Sequence, residues 1–154
     1  MYRKILVALE NSKADASLLP HVADLAKRLG SELLLLHVAD GFVARNFDQL
    51  KFAESEEMKG DRTYLEETAK QLQGAGLKVT FHLALGNPPA EILKTAAAEN
   101  CDLIAMTSHG HRFIGDVIHG STIEPVRHRA GVPLLVVPSS ERVAATRPLP
   151  GAAG

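Results

Sequence analysis

Five short strand-like segments recur along this chain, and their spacing limits what it can fold into. Ile5-Leu6-Val7-Ala8-Leu9, Leu33-Leu34-Leu35-Leu36-His37-Val38, Leu103-Ile104-Ala105-Met106-Thr107 and Leu134-Leu135-Val136-Val137 are almost wholly apolar, and residues 78–85 supply a more mixed fifth. An apolar run without alternation suits a strand covered on both faces, as happens when helices flank a parallel sheet. The intervening segments carry helical spacing. Leu18, Val22, Leu25 and Leu29 form one stripe, stopped at Gly30. Met58, Leu65 and Leu72 form another, stopped at Gly74 and Gly76. After the turn Gly86-Asn87-Pro88-Pro89, with proline suited to a first helical turn, Ile92, Leu93, Ala96 and Ala97 form the inner face of a third helix. Ser121-Thr122-Ile123-Glu124 has the form of a capping box, and Pro125 disfavours a helix running through from upstream. A fourth helix is therefore predicted over about 121–129, closed by Gly131. Residues 40–57 are charged and weakly patterned, a surface excursion leading into the second helix. The alternation predicts an α/β fold: an open, doubly wound, five-stranded, mostly parallel sheet with helices on both faces. One domain is expected over residues 1–138, with a disordered tail at 139–154 that lacks periodicity.

A chain of 154 residues with 45% hydrophobic and 23% charged residues can bury a core without disulfides or a metal. The net charge of −1 supplies no field to gather nucleic acid or anionic lipid, while a small anion needs only a local site. Cys101 is the single cysteine, so no internal disulfide forms. Met1-Tyr2-Arg3-Lys4 leads straight into a strand without the apolar stretch of a signal peptide, and no segment approaches the ~20 apolar residues of a membrane span. The expectation is a cytoplasmic protein with neither nucleic-acid nor membrane partners.

Open parallel sheets bind ligands beyond the carboxyl ends of their strands, where strand order reverses. The ends to inspect are residues 9–12, 38–40, 86 and 107–110. The fourth is the most informative: Thr107-Ser108-His109-Gly110, then nine residues, then Gly120-Ser121. Small residues allow close approach of backbone to phosphate, and a helix starting at Ser121 presents unpaired amides. Together they could hold a triphosphate through amides and hydroxyls without a lysine. The same residues also fit a plain turn at Gly110 and a simple N-cap at Ser121.

The stretch Ser108-His109-Gly110-x9-Gly120-Ser121 resembles the universal stress protein ATP motif, G-x2-G-x9-G-[ST]. Lys4-Ile5-Leu6-Val7-Ala8, Leu34-Leu35-Leu36-His37-Val38, Gly86-Asn87-Pro88-Pro89-Ala90-Glu91-Ile92 and Val132-Pro133-Leu134-Leu135-Val136-Val137-Pro138 are similar to further segments of that family, in order and at the expected spacing. The resemblance implies an adenine nucleotide alpha hydrolase-like fold. It also implies phosphate contacts at Gly110, Gly120 and Ser121, with help from Thr107, Ser108, His109 and Thr122. Base and ribose contacts fall at Ala8, Leu9, Glu10 and Val38. ATP with Mg²⁺ is the implied ligand, AMP and cyclic AMP being alternatives. The implied assembly is a homodimer through the last strand, residues 133–138. Two positions depart from the pattern: Thr107 replaces the first glycine, where its side chain narrows the pocket or contacts phosphate, and Glu10 replaces an aspartate.

The remaining candidates have plainer readings. His109, His111 and His119 are poorly spaced for a metal, and Asp116, which could assist Mg²⁺, also fits an exposed loop acid. His37 fits a satisfied core histidine, Cys101 a core-edge thiol and Asp102 a turn residue. Arg127, His128 and Arg129 suit a helix C-terminus. Ser12 lies at a strand end without the histidine and acid spacing of a triad. No catalytic constellation is visible, which favours a dimeric stress-response regulatory module over a fast enzyme. A slow ATPase and a dimeric scaffold that has lost nucleotide binding are the alternatives.

Overall fold

The structure, a computed structural model, describes residues 1–40, 56–108 and 122–139. Along these the chain forms β1 (Lys4–Leu9), α1 (Asp15–Leu29), β2 (Glu32–Asp40), α2 (Glu56–Gly74), β3 (Val79–Gly86), α3 (Pro88–Ala98), β4 (Leu103–Thr107), α4 (Ile123–Arg129) and β5 (Leu134–Val137). The strands order as β3-β2-β1-β4-β5, and every pairing is parallel. The chain winds outward from β1 through β2 to β3, then crosses back to β4 and β5. Right-handed crossovers therefore put α1 and α2 on one face and α3 and α4 on the other.

Strand alternation divides the core accordingly. Ile5, Val7, Leu9, Leu33, Leu35, Leu103 and Ala105 meet Leu18, Val22 and Ala26 of α1 and Leu65 and Ala69 of α2. Leu6, Leu34, Leu36, Val38, Ile104 and Met106 meet Ile92 and Ala96 of α3 and Val126 of α4. β1 is central: in register, Leu6 lies between Leu34 and Ile104, and Val7 between Leu35 and Ala105. This is why the first, second and fourth runs are apolar throughout. β3, at one edge, buries Val79 and Ala84 but exposes Thr80, Phe81 and His82, hence its mixed composition.

Several helical details differ from expectation. In α1, Ala26 takes the inner place predicted for Leu29. Leu29 is the last helical residue, 42% exposed, where the chain turns at Gly30 with φ 70°. In α3, Thr95 is buried and Ala97 exposed, because Ala97 lies about 140° around the helix from Ile92. Asn87 caps α3, its side chain accepting the Ala90 amide at 3.1 Å. The capping box predicted for α4 begins at Ser121, which lies outside the described residues. Thr122 precedes the helix in a helical conformation without a side-chain cap bond, and Glu124 pairs forward with Arg127 at 2.8 Å and His128 at 3.6 Å. A residue already in the helical region cannot present its hydroxyl to the N3 amide as a capping residue does. Ser121 itself lies outside the described residues, as do 41–55 and the tail beyond residue 139.

Asp102 does more than serve a turn. Its carboxylate accepts the Arg3 amide at 2.9 Å and the Lys4 amide at 3.1 Å, tying the start of β1 to the start of β4. Burial pushes this carboxyl up, but the amide hydrogen bonds from Arg3 and Lys4 outweigh that and leave it below its ordinary 3.8. A lowered folded-state value means stability that is present above the unfolded pKa and lost as pH falls through the folded one. Asp102→Asn is expected to cost about 1 kcal/mol near neutral pH, at the low end because the site is solvent-screened. The difference from the parent should vanish in strong acid, as read by urea denaturation at both pH values.

Candidate functional site

The reversal of strand order lies between β1 and β4, whose carboxyl ends belong to chains leading in opposite directions across the sheet. Such a divergence opens a crevice above the sheet. Leu9-Glu10 and Thr107-Ser108 form its two lips, and Val38 stands one strand further out. Alternation assigns these positions to different faces. Ala8 and Val38 belong to the core on the α3 and α4 side. Leu9 lies on the α1 and α2 side, as do Leu103 and Ala105, and Thr107 follows them in phase. Thr107 is 6% exposed and pairs in register with Val137. Its side chain is therefore turned away from the face that Ala8 and Val38 present, so its methyl does not narrow the crevice there.

Ser108 follows in the opposite phase. Its amide donates to the Val137 carbonyl at 3.1 Å, extending the sheet by one bond. Its hydroxyl is buried and has no hydrogen-bond partner among the described residues. A buried hydroxyl left unpaired is unfavourable by about 1–3 kcal/mol. Thr122 is half-buried just before α4. His109, Gly110, Gly120 and Ser121, along with His111, Asp116 and His119, lie outside the described residues.

The other lip is shaped by backbone hydrogen bonds. The Glu32 amide donates to the Arg3 carbonyl, so even-numbered residues of β2 address β1, and Val38 directs its amide and carbonyl that way. The ladder stops at the pair Leu9–His37. Beyond it, the Glu10 amide donates to Asp15 Oδ1 at 3.0 Å and the Asn11 amide to Asp15 Oδ2 at 2.9 Å. Asn11 adopts φ 56°, which asparagine tolerates better than most residues. Glu10 is half-buried, with the Ser12 hydroxyl donating toward its Oε2 at 3.4 Å.

Sequence reasoning missed what lies beneath this turn. Asp15, only 2% exposed, also accepts the Tyr64 hydroxyl at 2.6 Å. Burial, and then the hydrogen bond to Asp15, hold the Tyr64 phenol well above its ordinary range. His37 Nδ1 lies 2.8 Å from the Leu9 carbonyl, and Nε2 lies 3.3 Å from Asp61 Oδ2. Asp61 Oδ1 accepts the Asn11 side-chain amide at 2.9 Å. His37 is thus the satisfied core histidine expected. A carbonyl can only accept, so Nδ1 carries a proton. One signal was available: Met58, Asp61, Leu65, Thr68 and Leu72 share one helical stripe, so Asp61 and Thr68 are polar residues at inward positions. Among the described residues, no three histidine, cysteine, aspartate or glutamate side chains converge as metal donors, and no helix is long and apolar enough to cross a membrane. Cys101 is buried, which pushes its thiol up to about 11 and makes it a poor nucleophile.

These features define a doubly wound α/β protein with a switch-point crevice closed on one side by a polar turn. Comparison with known proteins agrees. The family model described as the universal stress protein family matches residues 1–138, and the chain belongs to that family. It is similar to the universal stress protein MJ0577 of Methanocaldococcus jannaschii, at 31% identity over 89% of this chain and 95% of that protein. A solved structure of MJ0577 superposes with TM-score 0.76, covering 90% of this chain and 96% of the other at 30% identity. Two more distant structures share the fold. A universal stress protein in complex with cAMP has TM-score 0.66 at 17% identity, covering 90% of this chain and 98% of that one. One from Archaeoglobus fulgidus in complex with dAMP has TM-score 0.63 at 18% identity, covering 88% and 98%.

The Tyr64 hydroxyl can be removed without changing the ring's packing. Tyr64→Phe is expected to lower stability by about 1–2 kcal/mol, since it strips one donor from a buried carboxylate. Urea denaturation should show this as a shifted midpoint with an unchanged slope.

Proposed function

We propose that this chain binds an adenine nucleotide, ATP with Mg²⁺ foremost, in the crevice between β1 and β4. It then serves in the cytoplasm as a homodimeric, nucleotide-responsive stress regulator rather than as a fast enzyme. The observation that carries this reading is the buried Ser108 hydroxyl at the end of β4, which has no hydrogen-bond partner among the described residues. It stands beside a lip where Val38 directs its backbone toward a ladder that has ended. The Val38 carbonyl, beyond the last pair of the β1–β2 ladder and beside the Leu9 backbone, suits the amino group on the edge of adenine. Glu10 suits ribose hydroxyls, which donate to a carboxylate. Ala8 offers a small floor on the same face as Val38. Phosphates would then extend toward Ser108 and the glycine positions Gly110 and Gly120, followed by Ser121 and Thr122. The cAMP and dAMP complexes of related folds support the ligand class.

Self-association rests on the other end of the sheet. β5 has β4 as its single neighbour and presents Val136, 38% exposed, beside half-buried Leu134 and Leu135. An apolar edge strand of this kind calls for a partner strand, which a second copy supplies across a two-fold axis.

Two experiments test the reading. Calorimetric titration with ATP, ADP, AMP and cyclic AMP, with and without Mg²⁺, should show saturable binding for at least ATP. The absence of both heat and thermal shift at ligand on the order of 1 mM would overturn it. In the same assay, Ser108→Ala should weaken nucleotide binding about fivefold to tenfold while leaving the ligand-free protein equally or more stable, because no described residue pairs with the lost hydroxyl. For assembly, Val136→Lys should convert a dimer to a monomer in light scattering. A parent protein that is monomeric at working concentration would reject the dimer.

A further inference from the structure

The polar cluster beneath β1 is not used by the crevice, because it lies on the opposite face of the sheet. Its hydrogen bonds nevertheless end at the crevice's lip. Along β1, the Asp102 amide donates to the Lys4 carbonyl, so even-numbered residues address β4 and odd-numbered ones address β2. Continued in that pattern, the Glu10 amide would be given to β4 and the Asn11 amide to β2. Both are given instead to the two oxygens of Asp15. Pairing with β4 has already ended at Val7–Ala105, and this single buried carboxylate takes the two amides that follow Leu9, which keeps the Asn11 amide from the Val38 carbonyl.

The carboxylate does not act alone. α2 holds it through Tyr64 and holds the same turn a second time through Asp61, which grips the Asn11 side chain. Asp61 in turn meets His37, whose other nitrogen fixes the Leu9 carbonyl. Every residue from Leu9 to Asn11 is therefore tethered to α2, directly or through one intermediary. We infer that Asp15, Asp61, His37 and Tyr64 are positioning residues that set the Leu9–Glu10–Asn11 lip from the far face, so that nucleotide occupancy and the seating of α2 are coupled. The nucleotide half of this inference rests on the function proposed above; the mechanical half rests on the hydrogen bonds alone.

The coupling has a conservative rescue built into its chemistry. An asparagine at position 61 can still accept the Asn11 side-chain amide with its oxygen. Its own NH₂ can donate to Nε2 of a neutral His37 that keeps its Nδ1 proton on Leu9. An alanine can do neither. The test is amide hydrogen exchange at Glu10 and Asn11 by NMR, together with ATP calorimetry, in the full chain. Asp61→Ala is expected to speed exchange at both amides about tenfold and to weaken ATP binding about tenfold, a change of about 1.4 kcal/mol. Asp61→Asn should restore both to within about twofold. Tyr64→Phe, which keeps α2 packed, provides a milder check: about fivefold faster exchange at the same amides. Asp15→Ala is the direct deletion but risks unfolding the protein, so Asp61 and Tyr64 are the positions substituted. Unchanged exchange in Asp61→Ala, or no rescue by Asp61→Asn, overturns the coupling. A parent protein that binds no ATP refutes the proposed function, and in that case the exchange measurements alone decide whether α2 sets the lip.

Discussion

β1 has no free side. It is hydrogen-bonded along both edges, to β2 and β4, and buried on both faces by two separate cores. Ile5, Leu6 and Val7 are fully inaccessible. Each such side chain contributes about 1.5–3 kcal/mol through burial, and none can be replaced by a polar residue without leaving it unsatisfied. The outward winding through β2 and β3 and the return through β4 and β5 both take their position from this strand. The crevice exists because the chain leaves β1 in one direction and approaches β4 from the other.

How β1 ends therefore matters as much as how it is buried. A strand with partners on both sides would ordinarily run on until its neighbours stop. Here pairing with β4 ends at Val7–Ala105, and a carboxylate from the first turn of α1 takes the two amides that follow Leu9. It is ionic, its bonds are 2.9–3.0 Å long, and it stands within five residues of the groups it binds. The burial of that charge is unfavourable by itself and is offset by its three donors, two backbone amides and a phenol. The neighbouring His37–Asp61 pair, 3.3 Å apart, has outward hydrogen bonds at both ends. Two buried polar groupings lie side by side, and both terminate on the lip of one crevice.

The two faces divide the labour. On the α3 and α4 side the crevice floor is small and apolar at Ala8 and Val38, with the Ser108 hydroxyl unpartnered among the described residues. On the α1 and α2 side the same backbone is anchored by charged and hydrogen-bonded groups. A period of two residues along β1 and β2 produces this segregation without further design, since adjacent residues must point to opposite faces. It also explains Thr107. A threonine where a glycine was expected adds its bulk to the α1 and α2 side, where β4 already carries Leu103 and Ala105.

Strand and helix order, the parallel sheet and the burial of the central strands were legible in the residues alone, because unbroken apolar runs and helical stripes are local properties of a chain. The neighbourhood of the crevice was legible for the same reason, through short motifs at strand ends. Pairings across tens of residues were not. Asp102 looked like a turn residue until β1 lay beside β4, and nothing local to Asp15 marks it as more than an acidic residue at a helix start. Asp61 sat on an inward stripe, but nothing in its own segment said that Asn11 and His37 would meet it. A hydrogen bond between distant residues depends on the relative placement of whole elements. That placement follows from packing two cores against one sheet, which only the tertiary structure decides.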